Sequence, residues 1–259
     1  MKFGAIIIGD EILSGKRQDK HMGKLISALA ERGLELAWAQ YLGDDTPLIT
    51  ATLQRAMTLP DVVFSFGGIG ATPDDHTRQC AANAAGVALQ VHPDAEVEIR
   101  ARFVDDPKGI TPQRLEMGNF PVGVSIIPNP FNRIPGFNYK NIYFVPGFPQ
   151  MAWPMIDWVL DTKYKHLFDA NRIGESAIIV RDAGESLLID LMKAVQGKYP
   201  ALKIFSLPRM QPERFIELGA RGDPVQVAAA IAELKAGVTA MNFPWTDAPK
   251  FGLSQVLVT

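Results

Sequence analysis

The sequence predicts an α/β fold, a parallel sheet layered between helices, followed by a small α+β domain. Three observations predict it. Short apolar runs rich in β-branched and aromatic residues alternate with amphipathic helical segments. The alternation repeats in units of about 30 residues, the length of a strand-helix-strand unit. Beyond residue 165 it gives way to two consecutive strands.

The elements follow in order. Phe3 to Ile8 is a strand covered on both faces. Residues 21–31 form a helix with Met22, Leu25, Ile26 and Leu29 at helical spacing, closed by Gly33. A strand at 34–41 leads to a helix at 47–57 with Leu48, Ile49, Leu53 and Met57 on one face. Residues 62–66 are the third strand and 77–85 the third helix. Right-handed crossovers between such units make the strands parallel and gather the loops at their carboxyl ends. Residues 9–16, 44–46 and 67–75 are therefore expected at one edge. A Trp-bearing helix at 151–160 precedes a charged stretch at 161–172. Strand 177–181, helix 185–195, strands 202–206 and 214–220 and helix 224–234 then suggest a KH-like or split βαβ unit. The domains are expected at 1–165 and 172–259.

Composition narrows the function. At 47% hydrophobic and 21% charged residues the chain is ordinary for a globular protein, and a net charge of -2 gives no general attraction to nucleic acid. One cysteine, Cys80, cannot form an internal disulfide, and its Ala-rich helix points to core packing. Met1-Lys2-Phe3-Gly4 runs directly into a strand, without a signal-like segment, and no apolar run suits a membrane span. A cytoplasmic protein is expected, with no nucleic-acid or membrane partner.

Gly67-Gly68-Ile69-Gly70-Ala71-Thr72-Pro73-Asp74-Asp75-His76-Thr77 is the most informative stretch. Its glycines let the backbone approach a ligand, and the amides at the following helix start favour an anion. Thr72 is expected to cap that helix, with Pro73 at the first position and Asp75 three residues after the cap. Asp74 and Asp75 would repel a phosphate unless a divalent cation lay between them, so the loop reads as a metal-plus-phosphate site. The alternative is that both aspartates only complement the helix dipole. Gly9 to Gly15 with Lys16-Arg17 imitates a P-loop, but its glycines are one residue too far apart and Arg17 stands where Ser or Thr is needed. Pro73 replaces the third glycine of a dinucleotide fingerprint. No Cys or His cluster has zinc spacing. His92 and His166 read as surface residues. Arg114 and Arg133, in loop-like segments, are candidates to neutralise phosphate, with ordinary solvated arginines as the alternative.

The glycine loop resembles the signature of the molybdopterin-binding-like (MoaB/Mog-like) domain at the N-terminus of the competence/damage-inducible protein CinA. Ala5 to Gly15 is similar to that family's first strand and turn, and Tyr41 to Asp45 to its second strand end. Asn129-Pro130 through Phe137 and Val145 to Pro149 resemble its two Pro-Gly loops. The likeness covers roughly residues 3–160. Two positions differ: His21 follows Asp19-Lys20 where the family has Asn, and Met151 stands where it has Glu. The family carries a comparable small domain next. With this sequence ending at Thr259, the deamidase domain of full-length CinA is not expected.

The residues and the resemblance together set the functional expectations. A divalent metal held by Asp44, Asp74 and Asp75 would bridge phosphate oxygens, while amides of Gly67, Gly68 and Gly70 stabilise charge and Glu11 or Asp10 serves as general base. The resemblance implies hydrolysis of ADP-ribose or related nucleotide diphosphates with Mg²⁺ or Co²⁺ and K⁺, in a bacterial protein. Its other branch implies molybdopterin binding or adenylylation, with Asp75 and Asp44 in the places of that branch's key aspartates. A non-catalytic ligand-binding module is the third reading. Substrate contacts are expected from Gly9, Asp10, Gly67, Gly68, Gly70, Thr72, Pro146 and Gly147. Asp19 is a further expected substrate contact, and His21 and Arg133 are expected to bind substrate and set its choice, with a solvent-facing His21 as the alternative. A homo-oligomer, dimer or trimer, is expected.

Overall fold

The computed structural model describes residues 1–169, 173–210 and 213–249. Two compact units divide the chain: Met1–Ala30 with Glu35–Phe168, and Glu31–Leu34 with the described residues from Asp169 onward.

The first unit runs β1 Phe3–Ile8, α1 Asp10–Leu13, α2 His21–Ala30, β2 Leu36–Leu42, α3 Thr46–Ala56, β3 Val62–Phe66 and α4 Thr77–Ala85. It continues through β4 Leu89–Val91, α5 Pro93–Arg102, α6 Pro112–Glu116, β5 Asn119–Pro121, β6 Ser125–Ile127, β7 Gly136–Tyr139, β8 Ile142–Val145 and α7 Pro149–Lys163. Its main sheet has the order β2-β1-β3-β8-β7-β6. The first four strands are parallel neighbours, and β7 and β6 add antiparallel at one edge. The parallel sheet expected from the sequence is thus observed with an antiparallel extension, built from residues 87–148 to which the sequence pattern assigned no elements.

Every residue of β1 and β3 is buried, which explains their unbroken apolar runs. Ile6, Ile8 and Val63 share a core with Ile49 and Leu53 of α3 and Cys80 and Ala81 of α4. On the opposite sheet face α2 packs against β1 and α7 against β8. Side chains cap the helices that frame the loops: Asp45 accepts from the Leu48 amide at 2.7 Å, and Asp19 from the His21 amide at 2.8 Å.

The second unit runs β9 Gly174–Arg181, α8 Glu185–Lys198, β10 Lys203–Arg209, β11 Phe215–Gly222, α9 Pro224–Ala240 and β12 Trp245–Asp247. All its pairings are antiparallel, in the order β10-β11-β9-β12. β9 and β10 point the same way with β11 between them, which is the split βαβ of the two expected arrangements. β12, absent from the sequence reading, closes the free edge of β9. Ile178, Val180 and Leu218 meet Leu188, Ala230 and Leu234 in a separate core. Among the described residues no helix is long and apolar enough to cross a membrane.

Candidate active site

The carboxyl ends of β1, β3 and β8 lie side by side in the sheet and open into a cleft of about 400 Å³. Gly67, Gly68 and Gly70 line it after β3, Gly9 after β1, and Pro146 and Gly147 after β8. Two of these glycines are required by the backbone. Gly67 has φ +94° and a Cβ there would strike the Ile8 carbonyl oxygen; Gly68 has φ +70° and its Cβ would strike the Thr77 hydroxyl. Glu11, Asp44, Asp74 and Asp75 supply acid to the cleft, and Ile134, Pro135, Phe148 and Met151 supply apolar surface.

Two acidic turns are locked together at the rim. The Asp10 amide donates to Asp44 Oδ2 at 2.9 Å, and the Asp44 amide donates to Asp10 Oδ1 at 3.1 Å. Burial raises the Asp44 carboxyl above its ordinary value; the Asp10 amide opposes this, and the neighbouring charges of Asp10, Glu11 and Asp74 add to it. Concentrated negative charge of this kind favours a cation. Among the described residues, however, no three His, Cys, Asp or Glu side chains converge as a complete metal-binding set. Asp44, Asp74 and Asp75 line one cleft without forming a preassembled triad.

The structure corrects several sequence expectations. Thr72 is not a helix cap. Asp75 Oδ2 accepts from the Thr72 amide at 2.8 Å and from its hydroxyl, the Asp75 amide donates to the Thr72 carbonyl at 3.0 Å, and the helix starts only at Thr77. The carboxylate thus organises a tight turn, reversing the donor and acceptor of the expected cap. Arg133 does not line the cleft; its φ is +65° and its guanidinium pairs with Glu98 at 2.9 Å. Arg114 lies on α6, paired with Asp106 at 2.9 Å and stacked over Phe103 at 4.0 Å. Both cations are therefore already partnered. Asp19 spends its carboxylate on the amides of His21 and Met22 and the Tyr41 hydroxyl. His21 starts α2 but does not face solvent: it is 5% exposed and stacked on Phe66 with ring centroids 4.7 Å apart.

Four residues of the site went unread in the sequence. Arg78 is 2% exposed; its Nη2 donates to the Gly70 carbonyl at 2.6 Å and its Nη1 to the Glu116 carbonyl, so it clamps the glycine loop from behind. Its signal was a cation three and four residues before buried Ala81 and Ala82, on the apolar face of α4. Arg17, dismissed with the P-loop imitation, lines the cleft with its guanidinium 5.9 Å from the Phe148 ring centroid. Phe148 and Asn132 lie in the two Pro-Gly loops that the resemblance marked, but their own part in the site depends on the convergence of those loops through β7 and β8.

Comparison with known proteins agrees with this geometry. A CinA-like protein of Desulfovibrio desulfuricans is 27% identical over 247 residues, covering 90% of this chain and 55% of the relative. One of Desulfosudis oleivorans is 26% identical over 230 residues, covering 86% and 55%. The chain thus spans little more than half the length of these CinA-like relatives, and both matches extend into the second unit. The crystal structure of the protein CinA from Thermoplasma acidophilum superposes with a TM-score of 0.56 at 27% identity, covering 62% of this chain and 98% of that one. Residues 4–166 match the family described as probable molybdopterin binding domain, MoCF_biosynth, and the chain belongs to that family.

Proposed function

We propose that this cleft hydrolyses a nucleotide diphosphate of the ADP-ribose type with the help of a divalent cation. The observation that carries the reading is the pairing of a glycine floor, forced by the Ile8 carbonyl and the Thr77 hydroxyl, with an acidic rim of Glu11, Asp44, Asp74 and Asp75. Backbone amides suit phosphate, whereas carboxylates suit a hard cation. Oxygen-only donors, too few for a complete cage, fit a Mg²⁺-like ion that takes its remaining ligands from phosphate and water. Asp44 and Asp74 would hold it, with Asp75 Oδ1, which accepts no hydrogen bond from the described residues, as a further ligand. Such an ion supplies charge neutralisation and an acidified water.

The chain's own groups do the rest. The Gly67 amide, expected to face phosphate, instead donates to the Val145 carbonyl at 3.1 Å, which leaves the amides of Gly68 and Gly70 to orient the diphosphate and stabilise charge on its oxygens. Arg78 fixes the Gly70 peptide, so those amides need not reorganise as charge develops. Glu11, whose carboxylate is 3.6 Å from Arg17, is positioned as general base. The match to a family described as molybdopterin-binding supports a second reading, a pterin ligand against the apolar wall of Ile134, Pro135 and Met151.

The test is to incubate the pure protein with ADP-ribose, FAD, NAD and diadenosine compounds, with and without Mg²⁺ or Co²⁺, and to measure AMP. Metal-dependent AMP release is expected, and Asp75→Asn should remove at least about 99% of it, the size of effect that loss of one charge-stabilising group produces. Full turnover in chelator or in Asp75→Asn defeats the metal role. Absence of turnover with tight pterin binding establishes the second reading, and binding of nucleotides without turnover a non-catalytic module.

A further inference from the structure

The charge of the cleft does not balance once a diphosphate is placed on its floor. Among the described residues that line it, Glu11, Asp44, Asp74 and Asp75 are acidic and Arg17 is the single cation. A divalent ion offsets only part of that acid, and the phosphates add further negative charge, so the guanidinium has an anion to meet. No other base is in position. Lys16 lines the outer acidic mouth, Lys20 lines a smaller cleft of about 280 Å³ beside the first, and Arg78 holds the glycine loop from behind.

Arg17 is held loosely and within reach. Its amide donates to the Glu11 carbonyl at 2.9 Å, which closes the turn after α1 and sets the two residues beside each other. Its Nη1 lies 3.6 Å from Glu11 Oε1, an ion pair too long for a hydrogen bond, between side chains that are 57% and 43% exposed. The pairs of Arg133 with Glu98 and of Arg114 with Asp106 are hydrogen-bonded at 2.9 Å. The Arg17 guanidinium also stands over the Phe148 ring, at the boundary that the two clefts share. An exposed pair of this kind contributes little, whereas a phosphate offers the planar fork two charge-assisted hydrogen bonds. Exchanging the carboxylate for a phosphate is therefore downhill, and it moves only a side chain, since the backbone bond anchors Arg17. Glu11 gives the exchange its consequence: a carboxylate paired with a guanidinium is a poorer proton acceptor than a free one.

We propose that Arg17 is the receptor for the second phosphoryl group of a diphosphate, and that in binding it Arg17 releases Glu11, so that the base is freed only when a diphosphate is in place. This rests on the phosphate reading above and adds the residue that distinguishes a diphosphate from a monophosphate. A monophosphate on the glycine amides leaves the pair of Arg17 and Glu11 intact.

Binding to the full chain at fixed Mg²⁺ tests it, with methylenediphosphonate, a diphosphate mimic that water does not cleave, and inorganic phosphate as probes. The wild type should bind the diphosphonate at least about tenfold more tightly than phosphate, the worth of one hydrogen bond to a charged group. Arg17→Met should remove that preference, costing the diphosphonate about tenfold and phosphate no more than about twofold. Arg17→Lys keeps the charge without the fork and should fall between. Releasing Arg17 in advance should help binding. Glu11→Gln should tighten the diphosphonate, and by about two- to fivefold more in the wild-type background than in Arg17→Met, the range that an exposed ion pair allows. Equal gains in the two backgrounds overturn the exchange and with it the release of Glu11. A diphosphonate preference that survives Arg17→Met overturns the proposal and leaves the phosphate site standing. If neither probe binds the wild type, the phosphate reading falls and this inference with it.

Discussion

The two units of this chain use similar parts and reach opposite outcomes. Each alternates strands with helices, and in the first the loops gather into an acidic, glycine-floored cleft. In the first unit β1, β3 and β8 are parallel neighbours, so three consecutive carboxyl ends deliver Gly9, Gly67–Gly70 and Pro146–Phe148 to one place. In the second unit each neighbour reverses direction, so adjacent strands send their carboxyl ends to opposite edges. Strand direction rather than element content decides where ligands can be held. If that is so, residues behind the first unit's loops should tolerate change far less than their counterparts in the second.

The largest expected difference lies between two arginines. Arg78→Met removes a buried guanidinium that donates to the Gly70 and Glu116 carbonyls and should destabilise the chain by on the order of 3 kcal/mol, besides loosening the phosphate loop. Arg181→Met removes an exposed pair with Glu213 and should cost about 0.5 kcal/mol or less. Urea unfolding of both variants measures the gap. Equal losses would mean that the clamp on Gly70 is no more than a surface contact.

Two glycines sharpen the contrast at the backbone. Gly68 and Gly184 each stand in a loop that leads from a strand to a helix. Gly68 has φ +70°, and the Thr77 hydroxyl fills the space of a Cβ; Gly184 has φ −86°, and its nearest such neighbour is Ser186 Oγ at 3.8 Å. Gly68→Ala should therefore cost about 1 to 2 kcal/mol from the left-handed backbone alone, and weaken pyrophosphate binding. In Gly184→Ala the lower chain entropy of Ala offsets its poorer capping, leaving stability within about 0.5 kcal/mol. Thermal melts with and without pyrophosphate read both quantities. A tolerant Gly68 would remove the close backbone approach on which the anion site depends.

How much was legible in advance follows the same division. β1 and β3 were read to the residue because both faces are buried and the apolar run is unbroken. β8 is equally buried and central, yet Ile142–Val145 is only four residues long, and its pairing with β3 comes from far along the chain. β12 was missed because Trp245–Asp247 is a strand only by virtue of β9 beside it. At the site, the glycines and acids carried local signals. Arg78 carried only its place on the apolar face of α4, and Phe148 only its place in a Pro-Gly loop, since the importance of each lies in what it touches. The Thr72 cap failed because Asp75 offered the turn a stronger acceptor than the Thr hydroxyl. Within the stretch expected as a linker, residues 161–163 belong to α7, and residues 170–172 lie outside the described structure.

The smallest effect is the most direct probe of the acidic rim. Asp44 titrates above its ordinary range, first through burial and then through Asp10, Glu11 and Asp74. A carboxyl whose folded pKa is raised binds more protons in the native state than in the unfolded chain. Stability therefore falls as pH rises from the unfolded value of about 4 through the folded value, and stays lowered above it. Asp44→Asn keeps an acceptor for the Asp10 amide and removes the charge. It should raise Tm at pH 7 by no more than about 2 °C, since the group is largely solvent-screened, and change nothing near pH 3, where the carboxyl is already neutral. Millimolar Mg²⁺ should reverse the order, stabilising the wild type at pH 7 and leaving Asp44→Asn where it was. Paired melts at pH 3 and pH 7, with and without Mg²⁺, separate the two effects. A variant less stable than wild type at pH 7 without metal would show that the Asp10–Asp44 exchange of hydrogen bonds outweighs the repulsion. A rim held that way would be a structural lock, no more functional than the ion pairs of the second unit.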